Sequence, residues 1–140
     1  MANYQFRNID ILDLKPSTGV GIKVPFDGAT GLNTTFTTQE AVKSNLLNFL
    51  LTGKRERVLN PGFGSGLREA MFAPMTDDLR TQITDLIIGG VNDFFPTVII
   101  NNLNIEFNQE ASTAIINLNY SVINTNIEDE IQININNGGV

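Results

Sequence analysis

The segment Arg55–Phe72, RERVLNPGFGSGLREAMF, gathers the residues best suited to chemistry in this 140-residue chain. Gly62, Gly64 and Gly66 follow the cations Lys54, Arg55 and Arg57 and run into a short helix-like stretch, the outline of a phosphate cradle. The spacing fails both phosphate fingerprints. A dinucleotide turn needs G-x-G-x-x-G, but the sixth position is Leu67 counted from Gly62 and Glu69 counted from Gly64. A P-loop needs G-x-x-x-x-G-K-[ST], but Gly53-Lys54 is followed by Arg55, and Asn48 stands where the first glycine belongs. The basic cluster, with Glu56 inside it, reads as solvated charge closing a helix. Glu56 and Glu69 also flank the loop, and two carboxylates suffice for glycoside hydrolysis. Neither lies in visibly apolar surroundings that would hold a general acid protonated. A carboxylate-dependent, lysozyme-like peptidoglycan hydrolase is kept as the second reading.

Absent residue types narrow the field further. The chain has no histidine, cysteine or tryptophan. This excludes Ser-His-Asp and Cys-His catalysis, imidazole and thiolate metal sites, and disulfides. No cofactor, metal or small-molecule substrate is expected. No apolar run reaches the roughly 18 residues that suggest a membrane span, and the charged start MANYQFRNIDILDL does not read as a secretory signal. Charge is unevenly placed. All nine Lys and Arg fall within residues 1–80, whereas residues 81–140 carry only acids: Asp85, Asp93, Glu106, Glu110, Glu128, Asp129 and Glu130. An acidic half repels phosphate, so nucleic acid is not an expected partner; on charge alone the acids read first as solubility, and as a partner a basic protein surface suits them.

The elements that must position the loop can be read from caps and periods. Residues 1–36 read as an extended arm with turns and short strands near Gly21–Val24. Thr37 caps a first helix, with Glu40 three residues on as in a capping box. Val42, Leu46, Phe49 and Leu50 form its apolar stripe, and Gly53 is expected to end it in a left-handed conformation. A second helix starts at Thr76, with Asp77 and Asp78 in its first turn. Leu79, Ile83, Leu86, Ile87, Val91 and Phe94 keep helical spacing until Pro96 stops it. Gly89-Gly90 inside that helix predicts close packing against a neighbouring backbone. From Val98 the period becomes two: Leu103, Ile105 and Phe107; then Ala114, Ile116, Leu118, Tyr120 and Val122; then Ile131, Ile133 and Ile135. The class is α+β: an N-terminal arm over 1–36, then one domain over 37–140 with two main helices packed on a three-stranded antiparallel meander. Asn117, Asn119, Asn134 and Asn136 fall on the opposite face, toward solvent or a partner.

Ala41 to Leu51, AVKSNLLNFLL, is similar to a helix of the A-x-x-x-S-L-x-x-L-L type, with Ala41, Leu46 and Leu50 at matching places and Asn45 and Phe49 at the Ser and first Leu of the closing pair. The loop then supplies Glu56, Arg57, Asn60, Pro61, Phe63 and Gly64 at the places of a Glu-Arg-Pro-Phe-x-Pro-x-Phe-Gly-like motif. With the second helix and the closing strands, this ordered set resembles the small baseplate wedge protein family of contractile-tailed phages, related to a baseplate subunit of type VI secretion systems. The resemblance spans about residues 36–136. It implies a structural, non-enzymatic subunit of a virion tail baseplate, assembled in the host cytoplasm. Its implied partners are the other wedge proteins and the tail sheath, whose first ring would build on the sheet. One departure stands out. The family's second helix commonly ends Glu-Pro-Arg; here Phe95-Pro96-Thr97 stands, so the family's polar contact is not carried over. The expected partner contacts are Arg55, Glu56, Arg57, Asn60, Pro61, Phe63 and Gly64 of the loop, Phe95, Pro96 and Thr97 at the helix stop, and Ile131, Ile133 and Ile135 on the last strand.

Overall fold

The computed structural model describes residues 37–136 together with residues 21–22 and 34–35. Its elements run β1 (Gly21–Ile22), β2 (Thr34–Thr35), α1 (Thr38–Leu51), α2 (Leu67–Ala70), α3 (Asp77–Phe94), β3 (Val98–Asn108), β4 (Thr113–Val122) and β5 (Glu128–Asn136). β1 and β2 pair antiparallel. Of the strand expected over Gly21–Val24, Lys23 and Val24 lie outside the described residues, as does most of the expected arm.

α1 begins where its cap chemistry requires. Thr37 has extended backbone, and its side-chain oxygen accepts the Glu40 N–H at 3.3 Å, satisfying one of the donors that a helix start leaves unpaired. The helix buries Ala41, Leu46, Phe49 and Leu50. Val42, expected on this stripe, is only half-buried, and Ala41 takes the inward position. The expected left-handed Gly53 is also not found: Gly64 and Gly66 are the described glycines with positive φ. The end of α1 is sealed from a distance instead. The Ser65 N–H donates to Phe49 O and Thr52 O, both at 3.2 Å, and Ser65 Oγ donates to Leu50 O at 2.7 Å. A fully buried serine thus pairs the carbonyls that the last turn leaves open.

α3 starts on Thr76, whose side chain accepts the Leu79 N–H at 3.3 Å, and carries Asp77 and Asp78 in its first turn. Leu79, Ile83, Ile87 and Val91 form its buried stripe. The Phe95 N–H donates to Val91 O at 2.8 Å, and Pro96 allows no further turn. The glycine pair behaves differently from expectation. Gly90 lies against the Phe49 ring so closely that any Cβ would collide with it, whereas a Cβ on Gly89 would meet nothing within 4 Å. The neighbour is an aromatic side chain for one glycine and open space for the other. No backbone packs on the pair.

The sheet has order β3-β4-β5, with both pairings antiparallel. β4 is central and alternates strictly: Ala114, Ile116, Leu118, Tyr120 and Val122 are buried. On β3 the register shifts between Ile100 and Asn102. This bulge brings Val98 and Ile100 onto the face that Leu103, Ile105 and Phe107 share, a change of parity that a regular strand forbids. On β5, Ile131 and Ile133 are buried and Ile135 is half-buried, all toward the helices. The result is a single helix-on-sheet core, as the α+β reading expected. The interleaved asparagines lie on the other face; Asn134 and Asn136 are exposed, and Asn117 and Asn119 are half-covered by neighbouring strands.

Candidate interaction site

The loop between α1 and α2 is held by a few short-range constraints. The Arg55 N–H donates to Pro61 O at 2.9 Å, closing the turn, and the Phe63 N–H donates to Asn60 O at 3.1 Å. Arg55 itself has φ 69°, a left-handed conformation uncommon outside glycine. Gly64, at φ 127°, passes so near the end of α1 that a Cβ would stand 2.7 Å from both Thr52 O and Gly53 O. Only glycine fits there. Gly66, at φ 68°, begins α2.

Phe63 is the loop's anchor. It is buried, and its ring centroid lies 5.5 Å from that of Phe49 and 5.2 Å from that of Phe94, both edge-on. Phe95 meets Phe49 at 5.7 Å. The Arg57 guanidinium covers the outer face of Phe63, 4.0 Å from its centroid. Such edge-to-face and cation–π contacts each contribute about 0.5–1.5 kcal/mol beyond burial. The structure therefore joins two groups that are far apart in sequence: Arg57 and Phe63 of the loop, and Phe94 and Phe95 at the helix stop. Phe95 is half-buried and turned toward Phe49. Pro96 and Thr97 are exposed, and Thr97 O accepts the Ile123 N–H at 2.8 Å from the β4–β5 connection.

The remaining loop residues, Arg55, Glu56, Asn60 and Pro61, are exposed, whereas Gly64 is buried. Glu56 and Glu69 do converge. A Cβ on Gly53 would stand 2.5 Å from Glu69 Oε1 and 2.8 Å from Glu56 Oε1, so both carboxylates crowd the same point. Both glutamates remain exposed, and Glu69 borders an open groove of about 370 Å³ with Lys54, Ala73, Gln82 and Leu86. Among the described residues no group of acids is arranged to hold a metal ion, and no helix is long and apolar enough to cross a membrane.

On β5, Ile131, Ile133 and Ile135, expected as partner contacts, face the core instead, which leaves the strand's outer side chains and its far backbone edge uncovered among the described residues. Among the described residues β5 pairs with β4 alone. Its start is tied to α1, since Asp129 Oδ1 accepts from Lys43 Nζ at 3.2 Å and Oδ2 from Gln39 Nε2 at 3.3 Å. Burial pushes the Asp129 carboxyl upward, but the Glu130 N–H, Gln39 and Lys43 outweigh it and hold the group below its ordinary value. Ser65 and Asp129 were not singled out in the sequence. Nothing local marks either one, because each acts on an element remote along the chain.

Comparison with known proteins places this geometry. The family model described as baseplate wedge protein gp25 matches residues 37–127. No curated protein matches the chain. Among solved structures, a crystal structure of a Geobacter sulfurreducens protein provisionally named a tail lysozyme is similar at TM-score 0.64 and 19% identity, covering 71% of this chain and 91% of that one. A cryo-EM structure of the anti-feeding prophage baseplate, sixfold symmetrised, contains a chain similar at TM-score 0.51 and 18% identity, covering 82% of this chain and 80% of that one. At these identities both likenesses concern the fold.

Proposed function

The chain belongs to the gp25 family of baseplate wedge proteins, and from that premise we propose that it joins the wedge of a contractile tail to the first ring of the tail sheath. A structural place in a baseplate, in association with other baseplate proteins, follows from the family itself. The finer reading rests on one observation: β5 is an edge strand whose apolar side chains are committed to the core, leaving its outward backbone groups without a described partner. An open edge of this kind favours strand addition, with main-chain hydrogen bonds supplying affinity. In this reading residues 37–140 form the wedge domain and residues 1–36 an arm. The loop and the helix stop, joined through Phe63 and Phe94, meet neighbouring wedge proteins. The contractile machine is a phage tail, assembled in the host cytoplasm. Hydrogen exchange tests the reading: β5 amides that exchange freely in the isolated chain become protected when sheath protein is added. Unchanged β5 exchange in a chain that does bind sheath argues against strand addition.

A second reading draws on the convergence of Glu56 and Glu69 and on the provisional name of the Geobacter protein. Two neighbouring carboxylates could cleave a glycosidic bond, but a general acid needs an apolar enclosure, and both glutamates are exposed. A turbidity assay on peptidoglycan separates the readings. Clearing by the native chain that is lost in Glu69→Gln supports hydrolysis; no clearing supports the structural role.

A further inference from the structure

Val58 and Leu59 are 93% and 99% exposed, the two most exposed large apolar residues among those described. They occupy the tip of the loop between α1 and α2. The turn is closed beneath them by the bonds from Arg55 N–H to Pro61 O and from Phe63 N–H to Asn60 O. Arg57, immediately before them, is turned inward over the Phe63 ring, and Phe63 is fixed in turn by Phe49 and Phe94. The base of the loop is thus anchored in the core while two adjacent aliphatic side chains project into water. Single exposed apolar residues are ordinary, but an adjacent pair held out on a braced turn is not what solvent favours.

We propose that Val58-Leu59 is a docking pin that inserts into an apolar pocket of another baseplate protein, and that the rim of this pocket carries carboxylates. The proposal deepens the reading of the loop as a wedge contact and rests on it. Charge argues for the rim: within residues 54–59 the chain carries Lys54, Arg55 and Arg57 against a single acid, Glu56. This is the most cationic stretch of a chain whose net charge is −6. Cations at the base of an apolar anchor match an apolar pocket with an acidic border, where the pair supplies a desolvated centre and the charges set orientation. A second copy of the chain is the competing occupant, and crosslinking from position 59 separates it from a wedge protein. The contact is small, so it suits an assembly in which many weak contacts act together.

The test uses the full chain and the other wedge proteins of its own baseplate, produced together, with sheath protein as a second probe. Val58→Ser/Leu59→Ser is expected to keep the unfolding temperature of the isolated chain, since neither side chain is packed, and to weaken capture by the wedge proteins at least tenfold. Arg55→Glu is expected to weaken capture in a salt-dependent way. A photo-crosslinking residue at position 59 is expected to label a wedge protein. Full-strength capture of the double variant overturns the pin, as does labelling of a second copy or of added lipid vesicles. Failure of the unaltered chain to bind either wedge or sheath protein overturns the proposed function and the pin together. Normal capture of both variants overturns the pin alone.

Discussion

At the scale of single residues, each glycine and buried polar group has its own physical reason and its own test. Gly89 and Gly90 are adjacent in one helix, yet they should respond oppositely to alanine. Gly89→Ala relieves a helix-interior glycine in open space and is expected to stabilise the isolated chain by about 1 kcal/mol. Gly90→Ala drives a methyl into the fully buried Phe49 ring and is expected to destabilise by about 1–3 kcal/mol. Urea titration of the two variants reads both signs; equal effects would contradict this packing. Ser65→Ala removes the hydroxyl that donates to Leu50 O and accepts the Leu67 N–H at 3.2 Å. A loss of about 1–3 kcal/mol is expected, because two buried groups lose their partner. The Tyr120 hydroxyl is the converse case. It is buried with no hydrogen-bond partner among the described residues, and burial, then the charge of Asp129, holds its proton well above the ordinary tyrosine range. Tyr120→Phe is therefore expected to be neutral or to stabilise by about 1 kcal/mol. A clear loss of stability in that variant would reveal a partner for the hydroxyl.

At the scale of elements, the central joint is the tie between α1 and β5 through Lys43, Gln39 and Asp129. The folded state holds Asp129 below its unfolded value, so its contribution is fully present above the ordinary carboxyl pKa and is lost as pH falls through the folded value. Stability should therefore decline on acidification below about pH 4. Asp129→Asn should flatten part of that decline while costing about 1 kcal/mol at neutral pH; an unaltered acid profile would contradict the tie. The elements themselves were legible in the sequence because their signals are local. Thr37 and Thr76 cap helices, Pro96 stops one, and alternation marks β4 and β5. The bulge in β3 was not visible as such, although the parity change between Ile100 and Leu103 is its trace. Three features were hidden because their cause lies elsewhere along the chain. Glu56 and Glu69 converge beside Gly53, Ser65 closes a helix that it does not belong to, and Phe94 reaches the loop across the fold to meet Phe63. The loop was legible as a joint, since its spacing fails the phosphate fingerprints. Its exposed tip was not, because exposure depends on which neighbours fold over Val58 and Leu59, and none do.

At the scale of the whole molecule, one helix-on-sheet core carries the three surfaces that the proposed role would use: the loop tip, the end of the sheet near Thr97 and Ile123, and the β5 edge. A core of this kind holds these surfaces in fixed relation, as the proposed joint between the wedge core and the first sheath ring would require. Copies following the sixfold order of a baseplate are expected, and mass measurement of assembled particles checks that number. The most direct measurement is a reconstruction of the assembled tail at side-chain resolution, examined along Glu128–Asn136. The account predicts a strand of the first sheath ring hydrogen-bonded along this edge, with Ile131 and Ile133 still in the core. A sheath ring seated elsewhere, with the β5 edge open to solvent, would contradict it.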